Sequence, residues 1–235
     1  MTANSILNVW DHCVGKNQTF KGVALASLAL NATDHSNIVD WSIEKRDIAL
    51  FHVRKKLFGN QFDNISHCPK CNQMVEWDFN FEQVGIPSLY DIPDNIEILI
   101  DSHDDILMIR LPNSDDLFTN DASQIIRNCM INLKDLQSQT FHQNIPDDII
   151  NQINDKFDTI CQASNITYHL NCVECSHEWQ VNFDIVAYLW KEIDHWAKSL
   201  LDEIYVLAKT FGWSESDIIN MSENRRNHYL NLLNS

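Results

Sequence analysis

Residues 68–81 read CPKCNQMVEWDFNF and residues 172–183 read CVECSHEWQVNF. Each begins with two cysteines three positions apart and runs on into an alternating apolar and polar stretch with strand character. A Cys-x-x-Cys turn offers two thiolates from one knuckle, and zinc completes a tetrahedral shell with four such ligands. The pattern therefore predicts one structural Zn2+ site made by Cys68, Cys71, Cys172 and Cys175, split by a long insert. A thioredoxin-like dithiol needs only one copy and opens a helix; here strands follow both copies. His67 and His177 flank the knuckles and are the alternative ligands. Four thiolates leave no open coordination position, so no catalysis is expected. No nucleophile elbow, P-loop, H-E-x-x-H or G-x-G-x-x-G motif is present.

Composition narrows the partners. Thirty-three acidic residues face 17 basic ones, for a net charge of −16 over 235 residues. Such a surface repels phosphate backbones and anionic lipids, so nucleic acid and membrane partners are disfavoured. The opening MTANSILNVWDHCVGK lacks the basic start and apolar core of an export signal, and GVALASLAL is too short to span a bilayer. Together these predict a cytoplasmic protein, in which paired CxxC reads as metal rather than as a disulfide framework. Cys13, Cys129 and Cys161 fall within amphipathic patterns and read as core thiols.

The fold class expected is α+β: a split four-cysteine zinc ribbon of small antiparallel strands, an inserted α/β segment, and helical N- and C-terminal regions. Residues 1–60 form the N-terminal helical region. Residues 61–183 hold the ribbon, with a hairpin and helices inserted over 76–165. IEILI and ILMIRL, separated by DSHDD, give the hairpin. PNSDDLFTNDASQIIRNCMINL turns into a helix, and Pro146 opens another as its first residue. Residues 184–235 give a long helix with an apolar stripe, ended by Gly212, and two short helices capped by Ser214 and Ser222. The whole is expected to pack as one compact unit. The paired aspartates 104–105, 115–116 and 147–148 read as turn and helix-start residues rather than catalytic pairs.

The C-terminal skeleton W-A-x(9)-L-A-x-x-x-G-W-S-x-x-x-I-x-x-M-S-x-x-R-R-x-x-Y-L, the stretch IRLPNSDDL at 109–117 and the two knuckles occur in a distinctive order. In that order the chain resembles baseplate proteins and baseplate hub assembly chaperones of contractile-tailed phages and phage-like contractile injection particles. The resemblance runs over nearly the whole chain. It implies a non-enzymatic assembly factor or structural component of a tail baseplate or hub, acting by protein–protein binding. Its partners would be other baseplate or hub proteins. Its place would be the bacterial or phage-infected host cytoplasm, or the assembled particle. One departure is that Asn72 and Ser176 stand where a ribbon often has glycine.

Trp213, Arg225, Arg226 and Tyr229 of the tail are of the types enriched at binding hot spots, which makes them candidate partner-binding residues. The other reading of the same residues is internal: Trp213 staples two helices and the arginines are solvated or paired within the chain. The competing function is a zinc-ribbon module that binds nucleic acid or serves transcription. Against it, the knuckle segments set Lys70 against Glu76, Asp78, Glu82, Glu174, Glu178 and Asp184.

Overall fold

The computed structural model describes residues 1–30, 37–100, 105–119, 121–132 and 145–233. In chain order the helices and strands are α1 Ala3–Cys13, α2 Gln18–Ala26, α3 Ile43–Phe58, β1 Gln61–His67, β2 Met74–Asn80 and α4 Phe81–Val84. Then come β3 Asn95–Ile100, β4 Asp105–Arg110, α5 Ala122–Cys129 and α6 Asp147–Ile160. The chain closes with β5 Thr167–Asn171, β6 Glu178–Asn182, α7 Ile185–Phe211, α8 Glu215–Ile219 and α9 Glu223–Leu233. The strands make three separate antiparallel hairpins, β1–β2, β3–β4 and β5–β6.

The contacts group into two compact units rather than one. Met1–Leu28 and Val186–Ser235 form a terminal unit, and Ala29–Ile185 a central unit. The first sixty residues therefore do not stay together: α1 and α2 go with the C-terminal helices, α3 with the ribbon. Burial explains the division. Along α3, Ile48, Ala49, Leu50, Phe51 and Val53 are all buried, far more than the single stripe of a surface helix. A helix so enclosed has to be the middle of something.

In the central unit that something is largely aromatic. Phe51 of α3 lies 5.7 Å from Phe62 and 5.9 Å from Phe183, ring centre to ring centre. Phe62 stacks on Phe79 at 4.5 Å, and Phe79 meets Tyr168 at 5.1 Å and Phe183 edge-on at 4.9 Å. Trp77 joins Tyr168 at 4.8 Å. The inward faces of β1–β2 and β5–β6 thus meet in one cluster against α3, each pair adding about 0.5–1.5 kcal/mol beyond its burial. Ser42 caps α3 at its start, and Gly59, with φ +87°, ends it while its N–H donates to the Lys55 carbonyl.

The insert has an apolar core of its own. Ile98, Leu107 and Ile109 of the β3–β4 hairpin pack with Ile126 and Cys129 of α5 and with Ile149 and Ile153 of α6. The helix expected to run to Leu133 stops at Cys129, because Met130 bridges Ile109 and the Ile131 N–H donates to the Met108 carbonyl at 2.9 Å. That segment adds a third edge to the hairpin. Leu133 itself, and the DSHD turn with Asp104, lie outside the described residues. Pro146 is the N-cap of α6 rather than its first residue; its carbonyl accepts from the N–H groups of Ile149 and Ile150.

Charged residues anchor the insert to α3. Buried Glu44 accepts from the backbone N–H groups of Ala163 (2.8 Å) and Ser164 (2.9 Å) and from the Ser164 hydroxyl (2.8 Å). Buried Arg46 donates to Asp47 at 2.8 Å and to the Ser114 hydroxyl at 3.2 Å. The Ile43 N–H donates to the Pro112 carbonyl at 2.8 Å. Asp47 sits at about 6, pushed up by burial against the pull of Arg46.

The terminal unit is helical. Leu7 of α1 packs with Ala197, Leu200, Ile204 and Leu207 of α7 and with Ile218 of α8. Trp10 donates its indole N–H to Asp194 at 2.9 Å, and Lys198 pairs the same carboxylate at 2.7 Å. Gly212, at φ +72°, stops α7. Ser214 and Asp217 then form the capping box that starts α8, with the Asp217 N–H donating to the Ser214 hydroxyl at 3.1 Å.

Candidate metal centre

Each CxxC sits at the tip of a hairpin, between its two strands, and both tips fold in the same way. The Cys68 N–H donates to the Gln73 carbonyl at 2.9 Å and the Asn72 N–H to the Cys68 carbonyl at 2.8 Å. In the second knuckle the Cys172 N–H donates to the His177 carbonyl and the Ser176 N–H to the Cys172 carbonyl, both at 2.9 Å. The tight turn needs a left-handed residue directly after the second cysteine. Asn72 takes φ 61° and Ser176 φ 54°, the two non-glycine residues with positive φ among those described. This accounts for the departure noted in the sequence: Asn and Ser adopt the conformation in which glycine is at ease. Asn does so readily, Ser at a cost of about 1 kcal/mol.

The register carries the likeness down both hairpins. His67 faces Met74, and Asn171 faces Glu178, each one residue before the first cysteine and six after it. Counting away from the tip, Ser66–Val75 matches Leu170–Trp179, Asn64–Trp77 matches Tyr168–Val181, and Asp63–Asp78 matches Thr167–Asn182. One rung further, Phe62–Phe79 matches Ile166 and Phe183, whose backbone bond is 2.8 Å. The equivalent phenylalanines, Phe79 and Phe183, are the pair that meets edge-on.

The two tips bring all four sulfurs together, every one within 4.8 Å of the others. Cys68 lies 3.7 Å from Cys175 and Cys71 lies 3.5 Å from Cys172, so each close pair joins one knuckle to the other. A tetrahedron with ~2.3 Å metal–sulfur bonds has edges of about 3.8 Å, so the donor set is compatible with a metal site. His67 and His177 stay out of the group; the His177 ring stacks beside Trp179 instead, at 6.2 Å. As bare thiols, Cys68, Cys71 and Cys175 perturb one another's ionisation. Burial raises the Cys68 pKa, but donation from the backbone of Cys71 and Lys70 outweighs it and brings the group down to about 7. A backbone bond at Gln73 favours ionised Cys71, yet its thiol neighbours Cys175 and Cys172 push it up to about 12. A divalent cation held there would need all four as thiolates.

The other cysteines stand apart. Cys13 and Cys129 are buried as expected, and Cys161 is only half-buried, at the C-terminal end of α6. Burial pushes Cys129 and Cys161 to about 12, which leaves them as inert thiols.

The candidate partner residues lie in the terminal unit. Half-buried Trp213 stacks on Phe211 at 4.6 Å and meets Tyr229 edge-on at 4.8 Å, and both pack against the helical core. Arg226 is 6% exposed; it pairs with Glu203 at 3.0 Å and donates to the Met221 carbonyl at 2.8 Å. Arg225, its neighbour, is exposed. The tail signature thus places three of its four residues in the internal packing of α7, α8 and α9.

IRLPNSDDL proves to be a brace. Arg110 grips Asp116 with two nitrogens, at 2.6 and 3.0 Å, and also donates to the carbonyls of Leu111 and Asn128. Burial opposes ionisation of Asp116, but Arg110 and the Asn113 N–H prevail and hold the carboxyl below its ordinary range. Asn113 caps the short 3₁₀ turn Ser114–Phe118, and Ser114 receives Arg46. Glu44 and Arg46 were not singled out by the sequence. Their only signal is charge at positions of α3 where a buried helix expects apolar residues.

The model of the family described as T4 bacteriophage base plate protein matches residues 13–190. The chain belongs to that family. No curated protein and no solved structure matches it. The span shared with the baseplate family contains both knuckles, the Arg110–Asp116 brace and Glu44, and it stops short of Trp213. The matched span also takes in α2 and α3. Among the described residues, no helix is long and apolar enough to cross a membrane.

Proposed function

We propose that this baseplate protein is a non-enzymatic structural component or assembly factor of a contractile tail baseplate or hub, built around one structural zinc ion. The observation that carries the reading is the convergence of four thiols from two equivalent knuckles, in a chain whose family is that of a baseplate protein. The metal joins Cys68 and Cys71 to Cys172 and Cys175 and shortens the loop that the insert must close, which offsets chain entropy. Zinc supplies a redox-inert tetrahedral clamp and no more; the chain's own residues do the positioning. The aromatic seam aligns the hairpins, while Glu44 and Arg46 fix the insert against α3. Function then follows from shape: a fixed surface offered to neighbouring baseplate or hub proteins in the host cytoplasm, whether as a chaperone or as a resident part.

The test is co-expression with the other tail proteins, followed by isolation of tail assemblies and of their soluble precursors. Recovery with hub or baseplate subunits in either fraction supports the reading. Recovery in precursors but not in finished tails identifies the chaperone role. A chain that follows neither fraction contradicts the reading.

A further inference from the structure

The two hairpins share a register, so their outward faces compare position by position. The β5–β6 face carries Thr167, His169 and Asn171 opposite Asn182, Gln180 and Glu178. Its rungs satisfy one another: the Thr167 hydroxyl donates to the Asn182 side-chain oxygen at 3.0 Å, and Gln180 meets the His169 ring at 3.2 Å. That is an ordinary solvated face.

The β1–β2 face differs at every rung. Gln61, Asp63, Ile65 and His67 stand opposite Asn80, Asp78, Glu76 and Met74. Ile65 is 61% exposed and Met74, its diagonal neighbour, 49%. Glu76 and Asp78 are exposed beside them, and none of the eight residues is Lys or Arg. Across these rungs the Gln61 amide donates to Asp78, at 2.6 Å. The surroundings have the same sign: the central unit holds 25 of the 33 acidic residues but 10 of the 17 basic ones. Exposed aliphatic side chains ringed by carboxylates of one sign suit a partner of opposite charge.

We propose that the outward face of the β1–β2 hairpin docks a basic segment of another baseplate protein. Lys or Arg side chains of that segment meet Glu76 and Asp78, and an aliphatic or aromatic side chain between them covers Ile65 and Met74. The inference rests on the baseplate reading and adds to it a surface and a partner chemistry. Charge decides against the other occupants. A second copy docking through the same face sets carboxylates against carboxylates, and nucleic acid or an anionic lipid surface is repelled.

A photo-crosslinking amino acid placed at Ile65, and in a control at His169, tests this in cells making the full set of tail proteins. Adducts are mapped to the peptide, and tail assemblies are isolated in parallel. The Ile65 probe should give an adduct to a Lys- or Arg-bearing segment of another baseplate protein, and the His169 probe none. Glu76→Lys with Asp78→Lys should lower the yield about tenfold, the scale of losing two interfacial charge contacts. Unchanged metal content in that variant excludes unfolding as the cause. Adducts to a second copy, to nucleic acid or to segments without basic residues overturn the proposal. So does the lack of an Ile65 adduct in protein that still enters tail assemblies, and then the baseplate role stands without this surface. Protein that neither crosslinks nor enters assemblies overturns both.

Discussion

The β1–β2 and β5–β6 hairpins are the same object at their tips and different objects on their backs. At the tip, two cysteines, a left-handed residue and two backbone bonds recur with near-identical distances. On the inward side the equivalent positions hold different residues, such as Asn64 and Trp77 against Tyr168 and Val181, yet they fill one seam. On the outward side nothing is shared but the alternation. The lesson concerns which constraints fix residues. A metal shell tolerates four sulfurs and a turn of one shape. An aromatic seam asks only for complementary volume. A solvent face asks for nothing until something binds it.

The largest effect should come from the shared part. In the proposed site, Cys68→Ser and Cys172→Ser would each remove one ligand from the same shell. Both should abolish stoichiometric metal binding and lower stability by several kcal/mol, a fraction of the ~10–16 kcal/mol of apparent metal affinity seen in small zinc domains. Equal losses from the two knuckles, measured by chemical denaturation, are the signature of one site. A large loss from one knuckle and none from the other would break the equivalence.

The seam comes next. Phe79→Ala and Phe183→Ala empty equivalent buried positions and should each cost about 3–5 kcal/mol in denaturation while leaving the metal bound. Their double variant should cost less than the sum, because the two rings touch. Strict additivity would mean that the hairpins do not share a core.

The smallest effect separates the two turns. Ser176→Gly relieves a left-handed serine and should stabilise by about 1 kcal/mol. Asn72→Gly should gain less, since asparagine accepts that conformation. The difference in denaturation midpoint at constant slope reads it directly. A larger gain at Asn72 would show that the φ values do not set the energetics of the knuckles.

Spacing made the tips legible in the sequence. CxxC is a local device, and its chemistry depends on four atoms whatever surrounds them. Caps were legible for the same reason: Ser214 and Gly212 act over three or four residues. Matching the two strands by their letters alone would put them out of register. Glu76–Trp77 and Glu178–Trp179 look equivalent as letters but stand two positions apart relative to their cysteines. An offset of two keeps each residue on its face and moves it one inward or outward rung along. Only pairing partners, not letters, reveal that Trp77 corresponds to Val181. The grouping of α3 with the ribbon was hidden because Glu44, Arg46, Asp47 and Arg54 make a buried helix look like a surface one. Their burial depends on residues such as Ser114 and Ser164, far along the chain, which no local pattern announces. The two tail arginines differ in a way their letters do not announce: Arg225 is exposed and Arg226 is buried. Arg226 has the composition of a hot spot, but Glu203 on the neighbouring helix takes it up.

One measurement reaches the centre of the account: the metal content of the protein purified without added metal, with a cobalt-exchanged sample examined by absorption. The account predicts one zinc per chain, and in the exchanged sample the visible bands of tetrahedral cobalt together with strong sulfur-to-cobalt charge transfer. Folded protein free of metal, or cobalt bound in a geometry without four sulfurs, would contradict it.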